Sequence, residues 1–194
     1  MANNQKGIRL DLPENGFGGV SLRSGKKPII AAVNGLAHGG GCEMAVNCDM
    51  VIASKSATFA LPEVKRGVVA LAGVLPRLMR TAGRQRATEM ALMGRPISAL
   101  DFKEWGLCNH IVEDGVSVVD VARTFARTIA ENSPDAIIVT REGLKLGWEA
   151  HGEADASRIF LGGWASRIYD GANIQEGLNA FSEKREPRWH ASKL

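Results

Sequence analysis

Three consecutive glycines, Gly39-Gly40-Gly41, stand between a short apolar run and the segment Cys42-Glu43-Met44-Ala45-Val46, and they constrain this chain more than any other feature. The run before them, Pro28-Ile29-Ile30-Ala31-Ala32-Val33, is bounded by proline and by Asn34-Gly35 and predicts a buried strand. The segment after them can start a helix. Strand, glycines and helix in that order leave unpaired N–H donors at a helix N-terminus, and the lack of side chains lets a ligand oxygen approach them. A carbonyl that gains negative charge in a transition state needs such donors. Glu43 follows Gly40 by three residues, close to one helical turn, so it stands beside whatever the Gly40 N–H holds. Taken alone, the pattern also describes a tight turn and a helix with an acidic first turn.

A second carboxylate closes Phe59-Ala60-Leu61-Pro62-Glu63, twenty positions after Glu43 and beyond a strand expected at Met50-Val51-Ile52-Ala53. If the fold returns it to face the first, two carboxyl groups are available for adding water across a double bond. One activates the water, and the other handles the proton at the neighbouring carbon. Alone, Glu63 after Pro62 reads equally as a surface or capping residue.

The remaining pattern is mixed. Ala57-Thr58-Phe59 predicts a third short strand, and Leu107 to Val112 another. Beyond Gly73 the pattern turns helical. Arg84 to Met93 is closed by Gly94, and Ser98-Ala99-Leu100-Asp101 reads as a capped start for a helix that Gly106 ends. Val118, Val121, Ala122, Phe125 and Ile129 share one helical face, Pro134 suits a first turn, and Ala154 to Ile168 and Ile174 to Phe181 predict further helices. Strands first and helices last indicate an α/β chain. The expected organisation is a weakly ordered segment 1–27, an α/β core 28–112, a helical region 113–185 of the same domain, and a tail 186–194.

Composition narrows the partners. A content of 45% hydrophobic and 23% charged residues over 194 positions is that of an ordinary globular domain. The net charge of +3 is small and its basic residues are scattered, which argues against nucleic acid. Every apolar stretch is broken well short of a membrane span, and no secretory signal is expected. Cys42, Cys48 and Cys108 are odd in number and lack CxxC spacing, as expected of reduced thiols. The last residues, Ser192-Lys193-Leu194, spell the peroxisomal address, which implies a peroxisomal location and an import receptor as partner.

Several blocks together resemble the enoyl-CoA hydratase/isomerase (crotonase) family. These are Lys27-Pro28-Ile29-Ile30-Ala31-Ala32-Val33-Asn34-Gly35, Ala37-His38-Gly39-Gly40-Gly41-Cys42-Glu43-Met44-Ala45, Cys48-Asp49 and Phe59-Ala60-Leu61-Pro62-Glu63. Ser98-Ala99-Leu100-Asp101, Trp105-Gly106-Leu107 and Phe181-Ser182-Glu183-Lys184-Arg185 extend the match over about 27–185. The resemblance implies a crotonase-like ββα spiral core with a helical C-terminal trimerisation region. It implies hydration of a trans-2-enoyl-CoA, or the reverse dehydration, by a hydro-lyase with no metal or redox cofactor, coenzyme A being part of the acyl-CoA thioester substrate. The Gly40 N–H would be an oxyanion donor, Glu43 and Glu63 the two catalytic glutamates, and Gly39, Gly41 and Leu71 part of the substrate surface. Phe181 and Lys184 would help hold coenzyme A, and a homo-oligomer, trimer or hexamer, is implied. Family isomerases keep only the carboxylate matching Glu63, so the presence of both favours hydration. Pro62-Glu63-Val64-Lys65-Arg66-Gly67 is also similar to carnitinyl-CoA dehydratase-like members.

Two departures from the family pattern stand out. The family's Ala-Gly-Ala-Asp-like segment, which supplies a second oxyanion N–H and part of the coenzyme A cleft, has no counterpart before Lys27, so an N-terminally incomplete core is expected. Loss of one such donor costs ~10²–10³ in turnover. A catalytically impaired acyl-CoA-binding relative is therefore the competing expectation. The second departure follows Glu63: Val69-Ala70-Leu71-Ala72-Gly73-Val74-Leu75-Pro76-Arg77 replaces a glycine-rich family stretch, and Leu71 and Val74 are expected to narrow the acyl pocket or to move the bound water.

Overall fold

The apolar run ending at Val33 forms β1 (Ile30–Val33), and after the Asn34-Gly35 turn the chain enters β2 (Leu36–His38), a strand the sequence pattern did not announce. The glycines open α1 (Gly40–Asn47), followed by β3 (Met50–Ser54) and β4 (Thr58–Ala60). A 3₁₀ turn over Pro62–Arg66 leads to α2 (Val74–Met93), β5 (Ile97–Ser98), α3 (Ala99–Glu104) and β6 (His110–Val112). The C-terminal part is helical: α4 (Val118–Ala130), α5 (Pro134–Trp148), α6 (Glu153–Ile159), a π turn, α7 (Ser166–Tyr169) and α8 (Ala172–Glu183). This computed structural model describes residues 12–149, 152–169 and 171–194. Of the expected segment 1–27, residues 1–11 lie outside them. The described residues up to Gly25, with Ile29–Ala122, form one compact unit, and Lys26–Pro28 with Arg123–Leu194 form a second.

The first unit holds two small sheets. One has order β1-β3-β6, all parallel, with Ile30 opposite Met50 and Ile52 opposite His110. The other has order β2-β4-β5, with β2 and β4 parallel and β5 antiparallel to β4. Parallel strands need long crossovers, and α1 supplies one between β1 and β3. The core is built from Val51, Phe59, Leu61, Val74, Leu78, Met90, Ile97 and Phe102 among others. Phe59 and Phe102 stack with ring centroids 3.9 Å apart. Asn109 brackets Val51, its Oδ1 accepting from the Val51 N–H at 2.8 Å and its own N–H donating to the Val51 carbonyl at 2.8 Å.

Local chemistry sets the boundaries. Ser98 caps α3 by accepting the Asp101 N–H at 3.1 Å, and Gly94 closes α2 in the left-handed region. Gly83, at φ 78° and ψ 169°, interrupts α2, so its second half matches the helix expected from Arg84 to Met93. In the second unit Ser133 caps α5, with Pro134 in the first turn. No described helix is long and apolar enough to cross a membrane.

Candidate active site

Strand pairing explains why two glutamates twenty positions apart meet. In the parallel pair β2–β4, His38 lies opposite Ala60, so Gly39 and Leu61 leave the same end of the sheet side by side. The Gly39 N–H donates to the Ala60 carbonyl at 2.9 Å and welds that junction. One chain then turns into α1 with Glu43, the other into the Pro62–Arg66 turn with Glu63. Sites at the carboxyl ends of parallel strands are a general property of such sheets.

The three glycines have different duties. Gly39, at φ 58° and ψ −127°, takes a conformation open to glycine, and a Cβ there would lie 3.0 Å from Glu63 Oε1. Gly40 is held glycine by packing, since a Cβ would lie 2.5 Å from Phe17 Cδ1. Gly41 has nothing within 4 Å of the corresponding position. The first intrahelical bond of α1 is Glu43 N–H to the Gly39 carbonyl at 3.0 Å. The N–H groups of Gly40, Gly41 and Cys42 therefore have no acceptor within the helix.

Glu43 is buried, 4% exposed, and its Oε1 accepts the Ala72 N–H at 2.8 Å. Burial pushes its carboxyl above the usual range, and the nearby Glu63 charge adds to that; the Ala72 and Val74 N–H groups and the Arg77 charge act in the opposite direction. Glu63 is half-buried, and its Oε2 is a buried oxygen with no hydrogen-bond partner among the described residues. Cys42 is fully buried, and its thiol is pushed up by burial and by both carboxylates. The expected pair is thus brought into one electrostatic neighbourhood.

The other expected site residues are divided between the two units. Leu71 is 61% exposed beside buried Ala72, so it can present an apolar surface. Val74, expected to shape the same pocket, is instead fully buried with Leu78 in the core. Phe181, 88% exposed, and Lys184, the left-handed C-cap of α8, belong to the second unit. In that unit the Trp189 indole donates to the Glu131 carbonyl at 2.7 Å and the His190 N–H to Asn173 Oδ1 at 2.8 Å. Ser192, Lys193 and Leu194 follow that anchored stretch. Sequence reasoning missed Phe17, the Ala72 N–H and Arg77. Phe17 stood inside the segment 1–27 that was expected to be weakly ordered, and backbone donors carry no side-chain signal.

The chain matches the family model described as enoyl-CoA hydratase/isomerase over residues 18–192. It is 53% identical to the mevalonyl-coenzyme A hydratase SIDH of Beauveria bassiana over 180 residues, covering 93% of this chain and 64% of that protein. It is 48% identical to the mevalonyl-coenzyme A hydratase sidH of Aspergillus fumigatus, covering 98% of this chain and 70% of that protein. The chain thus spans somewhat under two thirds of the first relative's length. Among solved structures, the enoyl-CoA hydratase EchA1 of Mycobacterium marinum superposes with a TM-score of 0.87 at 32% identity, covering 97% of this chain and 73% of that one.

Proposed function

This chain belongs to the enoyl-CoA hydratase/isomerase family, and from that membership we propose that it is a hydro-lyase acting on an enoyl-CoA thioester. The observation that carries the reading is the buried Glu63 Oε2, unpartnered among the described residues, within electrostatic reach of Glu43. In the hydration direction the water oxygen bonds to the β-carbon and the C=C π pair shifts toward the thioester. The resulting enolate oxygen rests on the Gly40 N–H at the start of α1, where the helix dipole and unpaired donors favour negative charge. One carboxylate takes the water's proton and the other carboxyl delivers a proton to the α-carbon. Burial and the nearby Glu63 charge both push the Glu43 carboxyl up, which favours its protonated form as the proton donor.

The relatives' names narrow the substrate. A mevalonyl thioester carries both a hydroxyl and a methyl on its β-carbon, so its dehydration yields a β-methyl enoyl thioester. We propose this class for the present chain, with exposed Leu71 and the Phe17 ring as the apolar surfaces beside Gly40 and Glu43. Hydration is followed by loss of the conjugated thioester absorbance, with crotonyl-CoA and a β-methyl enoyl-CoA compared. Turnover that prefers the β-methyl substrate and disappears with Glu63→Gln supports the reading. Binding of both thioesters without turnover by the intact chain would defeat it in favour of an acyl-CoA-binding relative.

Two further proposals concern the molecule's setting. Ser192-Lys193-Leu194 is read as a peroxisomal address; a reporter carrying residues 186–194 should enter peroxisomes, and one lacking the tripeptide should not. The exposed Leu144, Leu161, Tyr169, Leu178 and Phe181 of the second unit fit a homo-oligomer of trimeric type, checked by light scattering.

A further inference from the structure

Arg77 plays no part in the reaction as written, yet three parts of the site meet on it. Its Nη1 donates to the Gly73 carbonyl at 2.9 Å and to the Ser21 carbonyl at 3.1 Å. The first bond secures the loop whose adjoining Ala72 N–H holds Glu43 Oε1 at 2.8 Å. The second secures the turn that carries Phe17, the ring packed over Gly40. That turn is internally tied: the Phe17 N–H donates to Ser21 Oγ at 2.8 Å and the Leu22 N–H to the Asn15 carbonyl at 3.1 Å. Ser21 is completely buried, and the Asn47 amide holds the Val20 carbonyl from α1. Loop and turn also touch, because a Cβ at Gly73 would lie 2.7 Å from Leu22 Cδ2.

We propose that Arg77 is a positioning residue of this site, its guanidinium holding the Gly73 and Ser21 carbonyls so that the Ala72 N–H stays on Glu43 and the Phe17 turn stays over Gly40. A single nitrogen bonded to both carbonyls couples the donor side of the site to its carboxylate side. A neutral side chain of similar length keeps much of the packing but neither the bonds nor the charge. Lysine keeps the charge, but on a compact ammonium whose donors are not fixed in the guanidinium plane. The kinetic consequences rest on the hydratase reading, whereas the positioning itself does not.

The charged and titratable groups facing Glu43 are Glu63 from the Pro62–Arg66 turn, the Cys42 thiol from its own helix and Arg77 from α2. Loss of the Arg77 charge, together with a loosened Ala72 bond, removes two influences that favour ionised Glu43. The test is a ¹³C-carboxyl titration of Glu43 in the full chain, assigned with Glu43→Gln, for wild type, Arg77→Met and Arg77→Lys. Expected is a Glu43 midpoint displaced to higher pH in Arg77→Met and displaced less in Arg77→Lys. The kcat of hydration should fall about 10–100-fold in Arg77→Met with a smaller change in KM, the cost of a misplaced catalytic group. The acid limb of its pH profile should move upward with the titration.

A merely structural arginine would lower the melting temperature without moving the Glu43 midpoint, and that result overturns the proposal. Should Arg77→Met fail to fold, Arg77→Lys decides: an unmoved midpoint with kcat within about twofold of wild type also overturns it. If wild type itself turns over no enoyl-CoA, the hydratase reading fails, and the titration still decides the role of Arg77.

Discussion

Glu43 and Glu63 leave the same end of one sheet, but the regions that carry them are built differently. Glu43 sits in the first turn of a regular helix, and the loop Ala72–Val74 satisfies its carboxyl with backbone donors. Glu63 sits in a 3₁₀ turn begun by Pro62, one oxygen against the bare face of Gly39 and the other buried with no partner among the described residues. A buried carboxylate oxygen without a hydrogen bond is costly, by about 1–3 kcal/mol or more. Such a group calls for an explanation, a catalytic role or a bound water among them. The contrast makes Glu43 the held member of the pair; under the proposed hydratase reading, Glu63 is the one that meets the reacting water.

The contrast is broken most sharply at Glu63. Glu63→Gln is expected to lower kcat by ~10²–10⁴ while leaving the melting temperature unchanged or raised, because it removes a poorly paired buried charge. Steady-state hydration and a thermal melt on the same sample check both halves. Retained turnover within about tenfold would mean that Glu63 is scaffold.

At the glycines the expected effects are smaller and separate by position. Gly40→Ala drives a methyl into the Phe17 ring and should cost ~1–3 kcal/mol as overpacking. The double variant Gly40→Ala/Phe17→Ala should recover most of that loss in a denaturant titration. Gly41→Ala meets open space and should stabilise α1 by ~0.5–1 kcal/mol. Equal behaviour of the two single variants would contradict the packing described here.

The held carboxyl can be tested through pH. A carboxyl raised above its unfolded value contributes stability in acid that is lost as pH rises through the folded value. Glu43 is such a group, chiefly through burial. Glu43→Gln should therefore melt above wild type near neutrality, by something of order 2 °C, and the gain should vanish below the unfolded carboxylate pKa of about 4.3. A control lies outside both regions. Ser98→Ala, which removes the α3 cap, should cost ~1 kcal/mol and leave kcat alone.

Much of this arrangement was legible in the residues themselves. The glycines between strand and helix announced the start of α1, and Arg84 to Met93 was recognisable from its pattern and from Gly94 closing it. Ser98 with Asp101 announced its cap. The strand β2 was hidden: three residues, one of them an exposed Leu36, are too few for a period to show. That strand is what makes Gly39 and Leu61 neighbours, so the residues alone could suggest the meeting of the two glutamates, and only the β2–β4 register explains it. Val74 misled because apolar residues look alike until packing shows which ones face the core. The Ala72 N–H and the Arg77 bonds were illegible for another reason, as each depends on where a loop places its backbone.

The most direct measurement is a crystal structure of the chain with a stable acyl-CoA thioester that cannot be hydrated. Expected are the thioester oxygen 2.7–3.1 Å from the Gly40 nitrogen, about the distance of an oxyanion donor, and Glu63 Oε2 bonded to a water or ligand oxygen that also faces Glu43. A thioester bound away from α1, with Glu63 Oε2 still unpaired, would contradict the reading of these two carboxylates as the reacting pair.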